Sequence, residues 1–524
     1  MTGAHNLEAD PTLRPLSIKS TSFRNRIFSS SHACGLQVDG FPQQAYQAYH
    51  EEKARDGIGL SLFGGSSNVD IDSPNVFSQL NVGTDDIIEH LQQFSTRMHG
   101  RGAALMCQIT HLGRRGDPYA QDWLPTIAPS PLRETLHRAF RREVDLPVLH
   151  AARISDLASA RFALSQGHVD LVGMTRSHMA DPYIVAKLMR GDEARIRPCV
   201  GARHCQAVHR PKCIHNGATG RETSLSHAID KATSTRNTVV VGAGPAGLEA
   251  ARVLGERGHK VTLLEAAAHS GGQVLLACED QGRRDLIGIV DWRLSELQRL
   301  AIEVQCNQVV EAQDVLKLEP DRVVIATGGV PQTDFGSGSE LCSSTWDILG
   351  RHSRATGEVM VFDGTGRQPG PAAAQQLHDA GATVQFVSID SALAQDLTYA
   401  EATRWRKAFA RMGLAPTYES RPTAVVRDGN RLRVTLQSDL TNATTQVIVD
   451  HLVVKIGTVP INDLFAALRP HANNDGVTDR RALAELRAQP HGAGHFELHS
   501  IGDAWASRNV HAAVYDALRL GLVS

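Results

Sequence analysis

The sequence predicts an α/β protein: a front α/β domain followed by a two-part, Rossmann-like dinucleotide-binding region. Three observations carry this. Short β-type apolar runs alternate with amphipathic stretches along the chain, the pattern of parallel strands joined by crossover helices. The run Thr238-Val239-Val240-Val241 passes directly into Gly242-Ala243-Gly244-Pro245-Ala246-Gly247, a glycine triplet at a strand-to-helix turn. The front stretch of about 175 residues keeps the same alternation ahead of that turn.

Composition narrows the class. The 524 residues suggest three or four domains at about 150 residues each. Lys+Arg is 54 and Asp+Glu is 56, and a net charge of -2 gives no footprint for nucleic acid or an anionic membrane surface. Hydrophobic content of 42% is too high for wholesale disorder. No apolar run approaches the length of a membrane span, and the first residues lack the basic and apolar regions of a signal peptide. Eight cysteines in so long a chain cannot form a disulfide scaffold, so a reducing cytoplasm is expected.

In the front part, strands are expected near Ile27–Ser31, Gly59–Phe63, Ala104–Ile109, Pro147–Ala151 and Val169–Met174, with helices over 43–56, 84–100, 155–166 and 182–190. The expected domains are 12–192 (front domain), 193–236 (cysteine loop and linker), 237–345 with 460–524 (first nucleotide fold) and 346–459 (a second nucleotide-fold subdomain).

In the first nucleotide fold, Gly242 permits the tight turn, Gly244 lets backbone approach a pyrophosphate, and Gly247, beside Ala246, lets helix and strand pack closely. The next strand, Lys260–Leu264, ends in Glu265, 18 residues past Gly247, where a carboxylate can accept from both ribose hydroxyls. The second fold centres on Val359–Gly370. Its glycine spacing is degraded, Pro369 stands where a third glycine is wanted, and its next strand ends in Ser388 without a ribose-binding acid. NAD(P) is therefore not expected there.

Three further segments, Gly271-Gly272-Gln273, Val323 to Gly329 and Ser500-Ile501-Gly502-Asp503, resemble motifs of flavoproteins with two dinucleotide folds. The resemblance implies FAD, held by Gly272, Gln273, Thr327, Gly328 and Asp503 besides the glycine turn and Glu265. In the front part, Phe23–Ala33, Gly59–Gly65, Gln108–Arg114, Pro147–Ile154 and Asp170–Arg176 look like barrel strands one, two, three, seven and eight of a known family. With the back half, they make the chain resemble the iron–sulfur branch of the Old Yellow Enzyme superfamily. That branch includes trimethylamine and histamine dehydrogenases, 2,4-dienoyl-CoA reductase and N-methylproline demethylase-like proteins.

The resemblance implies FMN in the front domain, contacted by Ser31, His32 and Gly64, with Gln108 on the pyrimidine edge and Arg153, Thr175 and Arg176 around the phosphate. The chemistry agrees: a flavin N3–H/O2 edge needs an amide that donates and accepts, and a phosphate suits a guanidinium. Relatives with a cysteinyl flavin carry Cys directly after the strand-one His. Here that place holds Ala33 and Cys34 comes one later, so no covalent flavin link is expected.

After Glu143 the resemblance jumps to strand seven, leaving strands four to six and their catalytic loops without a counterpart, so it implies that 12–192 is a truncated (βα)8-type FMN domain, about 175 residues where a closed barrel takes about 250. The catalytic residues therefore stay unassigned. The cysteine loop supplies Cys199, Cys205 and Cys213, with Ala202 where the family's second Cys belongs and His204 or His209 as a candidate fourth ligand. A three-cysteine 4Fe–4S cluster, a zinc site and three free thiols all stay open.

Two functional readings follow. One is a flavin-dependent oxidoreductase related to amine and N-methyl dehydrogenases, which takes a hydride from a small N-methylated amine and passes electrons to an electron-transfer protein; its NAD(P)H-dependent variant is an enoate or dienoyl-CoA reductase. The other is an impaired remnant that still binds FAD, its barrel shortened by a true deletion or by an interrupted gene reading. A homo-oligomer is compatible with both. No nucleic-acid or membrane partner is expected.

Overall fold

The computed structural model describes residues 9–69, 79–110, 146–151, 154–207, 210–490 and 494–523. Two compact units form. One comprises Met1–Cys199 and His204–Ala228, the other Val200–Arg203 and Ile229–Ser524.

The front unit begins with an antiparallel hairpin, β1 (Leu16–Ile18) and β2 (Thr21–Phe23), which the sequence pattern did not reveal. Then follow β3 (Ile27–Ser29), α1 (Gln44–Arg55), β4 (Leu60–Asn68), α2 (Ile88–Gly100) and β5 (Ala104–Thr110). Later come β6 (Leu149–His150), α3 (Leu157–Ser165), β7 (Leu171–Gly173), α4 (Thr175–Ala180) and α5 (Ile184–Met189). The five expected strands pair in the order β5-β4-β3-β7-β6, all parallel, as a curled sheet amounting to half a barrel.

Strand alternation sorts the side chains between the two faces. Ile27, Phe63 and Val172 face outward into a core shared with Tyr46, Tyr49, Phe94 and Met98. Phe28, Leu60 and Leu171 face inward, and Phe23 from the hairpin joins them. These four are the only buried members of that inner cluster among the described residues.

The back unit opens with β8 (Asn237–Val241), α6 (Pro245–Arg257) and β9 (Lys260–Leu264). α7 (Gln273–Cys278), α8 (Gly288–Arg299), β10 (Val304–Gln305) and β11 (Arg322–Ile325) follow. The chain then leaves through β12 (Gly329–Gln332) and β13 (Ser343–Ser344) to β14 (Glu358–Asp363), α9 (Pro369–Asp379), β15 (Thr383–Ser388) and α10 (Tyr399–Met412). An antiparallel meander, β16 (Ser420–Asp428), β17 (Arg431–Ser438) and β18 (Thr444–Val449), leads into β19 (His451–Lys455) and β20 (Gly457–Pro460). The return strand β21 (Glu497–Ser500) and α11 (Val510–Leu522) close the unit.

The first sheet runs β10-β9-β8-β11-β21 and the second β13-β19-β14-β15, each parallel throughout. β12 and β20 pair antiparallel, carrying the outgoing and returning chain side by side. The central strands β8 and β11 are buried nearly end to end, as expected of strands covered on both faces. Gly521 of α11 packs so closely on α6 that a Cβ there would lie 2.5 Å from the Val253 side chain. Among the described residues, no helix is long and apolar enough to cross a membrane.

Candidate functional site

In the back unit the glycine turn is assembled as the spacing predicts. Gly242 has φ +101°, and a Cβ on it would lie 2.3 Å from the Ala326 carbonyl oxygen. A Cβ on Gly247 would lie 1.8 Å from Gly242 O. Gly244 is different: a Cβ there meets nothing within 4 Å, so the turn leaves open space above it. The first turn of the 13-residue α6 begins at that space with its N–H groups unused by the helix, and Pro245 removes one donor that would otherwise be orphaned. A pyrophosphate fits this cradle in size and charge.

The other expected back residues gather around it. One Glu265 carboxylate oxygen accepts from the Ala243 N–H of the glycine turn (2.6 Å) and the other from Ala267 N–H (2.8 Å). The acid expected to meet ribose is thereby locked against the turn. Gly272 approaches the Gly244 backbone, its Cβ position lying 3.4 Å from Gly244 Cα. Gln273 donates to Asp503 (2.9 Å), whose second oxygen accepts from Arg508 N–H (3.2 Å). Gly502 presses on Ala246, with 2.9 Å between its Cβ position and the Ala246 Cβ. Thr327 donates to Ile461 O (2.6 Å), and Gly328, at φ +74°, has open space beside it. One end of the sheet thus brings together every back-unit residue expected to hold FAD.

In the front unit, Ser31 donates to the Gln108 side-chain oxygen, orienting the amide at the end of β5. Ser30 N–H donates to Thr175 Oγ1 (3.1 Å), linking the ends of β3 and β7. Gly64, at φ +104°, packs on β5, where a Cβ would lie 2.7 Å from Gln108 O. His32 lies between Ser30 O (3.1 Å from Nδ1) and the Tyr49 hydroxyl (2.8 Å from Nε2). Burial and the nearby Lys53 charge push its pKa down to about 3, so the ring is neutral. Arg176 is exposed on α4, and Arg153 lies outside the described residues. The strand ends thus bring together Ser31, Gln108, Gly64 and Thr175, a rim with an oriented amide and two hydroxyls that fits a flavin edge. Cys34 is buried in the outer core beside Tyr46 and Tyr49, and burial raises its thiol to about 11.

Lys53 is a residue the sequence pattern did not single out. It is 1% exposed on α1, with its ammonium 3.6 Å from the Tyr49 ring centroid and 3.4 Å from Ser29 Oγ. Burial lowers its pKa to about 8. The only signal for it was its place one helical turn beyond Tyr49, on a face whose other members turned out to be buried.

The cysteine loop has three readings open, a cluster, a zinc site and free thiols. Among the described residues, no three His, Cys, Asp or Glu side chains converge where a metal ion could be held. Cys213 is buried and its thiol raised to about 11, while Cys205, half-buried, is raised by burial and by the neighbouring Cys199. His215 anchors to Pro198 O (2.7 Å), and His209 lies outside the described residues. With Ala202 in the second position, these residues do not fit an iron–sulfur cluster.

The second nucleotide fold departs from the reading in two ways. Pro369 is the first residue of α9 rather than a faulty glycine, and the close contact falls on Gly370, whose Cβ would lie 2.6 Å from Asp363 Cγ. Asp363, buried at that turn, accepts from Thr365 N–H (3.0 Å) and Oγ1 (2.8 Å), and burial raises its carboxyl to about 6. An acidic residue, Asp390, does stand close to this turn, two residues beyond Ser388. Its Oδ2 is 2.4 Å from the Cβ position of Gly366. Strand-end reading stopped too early to find it.

The comparisons with known proteins bear on the whole chain. The model of the NADH:flavin oxidoreductase / NADH oxidase family matches residues 12–134, and that of pyridine nucleotide-disulphide oxidoreductases matches 236–482. A multifunctional alkene reductase/demethylase from Caballeronia cordobensis is 39% identical, with 98% of this chain and 99% of the relative covered. The chain belongs to the Old Yellow Enzyme-related flavin oxidoreductases. A probable N-methylproline demethylase from Rhizobium meliloti (strain 1021) is 32% identical over 98% of this chain and 99% of its own length. The structure of histamine dehydrogenase from Rhizobium sp. 4-9 shares the fold, with TM-score 0.81, 19% identity and coverage of 99% and 97%. The first of these alignments spans 668 positions, so at least 144 of them have no residue from this 524-residue member. The two matched families imply FMN for the front part and FAD/NAD(P) for the back part of such proteins.

Proposed function

We propose that this member is a flavin-dependent oxidoreductase acting on a small N-methylated amine, with FAD in the back unit and FMN at the half-barrel rim. The observation that carries the reading is the pairing of Ser31 with Gln108 at the end of β5, beside the Ser30–Thr175 link between β3 and β7. These contacts preserve the flavin-facing rim although the barrel is short. Full-length similarity to demethylases supports the substrate class. Bound flavin supplies the hydride acceptor, and the protein supplies position and environment. Gln108 orients the pyrimidine edge, Thr175 and Arg176 serve the phosphate, and Gly244 with the start of α6 receives the pyrophosphate of FAD. No step is routed through the cysteine loop, whose residues do not fit a cluster.

A second reading, an FAD-binding remnant without turnover, is favoured by two observations: the four-residue inner cluster and the alignment positions with no counterpart in this chain. One experiment separates the two. The purified protein is supplied anaerobically with N-methylproline, dimethylglycine and dimethylamine in turn. Bleaching of the flavin band by at least one of them, with FMN released on acid treatment, is expected. FAD alone, unbleached by all three, would establish the remnant instead.

A further inference from the structure

We infer that the second nucleotide fold is closed to pyridine nucleotides by two of its own carboxylates, Asp363 and Asp390, which stand where the first fold leaves room for a pyrophosphate. The two folds compare residue by residue, because in each a glycine stands three positions past the end of the first strand. These are Gly244 after Val241 and Gly366 after Asp363. A Cβ on Gly244 meets nothing within 4 Å. A Cβ on Gly366 would lie 2.4 Å from Asp390 Oδ2 and 3.3 Å from the Asp396 backbone nitrogen. Glu265 of the first fold accepts from Ala243 N–H and leaves its glycine clear, whereas Asp390 stands over the glycine itself. Asp390 Oδ2 is shielded from solvent and has no hydrogen-bond partner.

The helix start is taken as well. α6 begins directly after Gly244, so its unused N–H groups face the opening. α9 begins only at Pro369, with Arg367 and Gln368 inserted between turn and helix. Gln368 is pinned: its amide donates to Glu401 (2.8 Å) and its oxygen accepts from Trp405 Nε1 (2.7 Å). The anion at this helix start is Asp363, which accepts from Thr365 N–H and Oγ1 and holds Oδ2 2.8 Å from the Cβ position of Gly370. A carboxylate there supplies the negative charge that a bound phosphate supplies at other helix starts.

An entering pyrophosphate would meet like charge from both acids where water is excluded. Two cations stand near. Arg367, half-exposed, reaches Asp396 (3.5 Å), and Lys455, the register partner of Asp363, donates to Gly457 O (3.3 Å). Two cations against the three carboxylates of Asp363, Asp390 and Asp396 leave no positive charge for a pyrophosphate. The degraded glycine spacing thus marks a filled cradle. The inference goes beyond the proposed activity and holds whichever substrate the front unit takes. Neither NADH nor NADPH delivers hydride through this fold.

The test uses the full-length protein with the flavin it carries, and NADH and NADPH as probes at millimolar concentration. The pH is mildly alkaline, so that Asp363, held near 6 by burial, is ionised. Amide hydrogen exchange is read over residues 363–372 and 388–391, so that binding in the front unit does not enter. Neither probe should slow exchange there in the native chain. Asp390→Ala removes an oxygen without a hydrogen-bond partner, and Asp363→Asn removes the second charge. In the double variant, NADH affinity read from the same segments should rise about tenfold or more, as when a like-charge contact is relieved. If the double variant melts early, Asp390→Ala alone is read in its place. Slowed exchange at 363–372 in the native chain would overturn the inference and make Asp390 a ribose-binding acid. A folded variant that gains no affinity would overturn it as well.

Discussion

The two units differ in how their parallel sheets are finished. In the back unit, β8 and β11 lie inside a five-stranded sheet, and a broad apolar cluster including Val239, Val323, Ile325, Phe496 and Leu498 covers one face. In the front unit a sheet with the same number of strands is curled, its outer face well packed and its inner face holding four buried residues. An open twisted sheet is a complete solution at five strands, whereas a barrel is complete only when it closes. The same loss of residues would therefore cost the two architectures very different amounts.

The largest expected effect is on ligand binding in the back unit. Because a Cβ at Gly244 meets no protein atom within 4 Å but projects into the phosphate cradle, Gly244→Ala should leave melting temperature nearly unchanged while FAD affinity drops about a hundredfold, the order expected when several charge-assisted hydrogen bonds are lost. Equilibrium dialysis and calorimetry check this. An unchanged affinity would remove the back unit from the cofactor account.

Next in size is the thin inner core. Leu60→Ala should cost the front unit about 3 kcal/mol, typical of a buried Leu truncation, and should separate calorimetric unfolding into an early front transition and an unshifted back one. A single transition shifted as a whole would show that the units do not melt independently. Gln108→Ala, which removes one polar contact at the rim, should weaken FMN binding about tenfold and leave FAD untouched.

Acid should separate the units more gently. His32 titrates near 3 and His178 near 4 because both are buried, and His50 is likewise held well below the ordinary value. In the unfolded chain these rings take up protons near pH 6.5, so front-unit stability should fall as pH drops below 6.5 toward 4. The back unit holds two such rings, His259 and His499, and should lose less over that window. Lys53→Met should stabilise the front unit at neutral pH, since it removes an ammonium buried with one hydroxyl and one ring face, and should flatten its gain in stability between pH 8 and 10.5. Fluorescence-monitored denaturation of both proteins at pH values from 4 to 10.5 reports these differences.

Much of the back unit was legible because its signals are local. Gly242, Gly244 and Gly247 are demanded by distances of a few ångströms to backbone, and such demands leave a fixed spacing in the sequence. Glu265 was legible for the same reason. Asp390 was not, because it lies past the end of its strand and reaches Gly366 through a turn that periodicity does not describe. In the front unit the five strands were readable, but the β1–β2 hairpin was too short to show a pattern. Lys53 was hidden because a charged residue on a helix ordinarily faces solvent. For the cysteine loop, spacing alone could not choose between a cluster, zinc and free thiols, because metal binding needs three or more ligating side chains to converge, and among the described residues none do.

The most direct test of the central contrast is the flavin and iron released by acid from the purified chain, resolved by chromatography and elemental analysis. A complete back fold and an open front one predict one FAD per chain, less FMN than FAD, and iron far below one cluster per chain. A protein that retains FMN but carries no FAD would contradict the account.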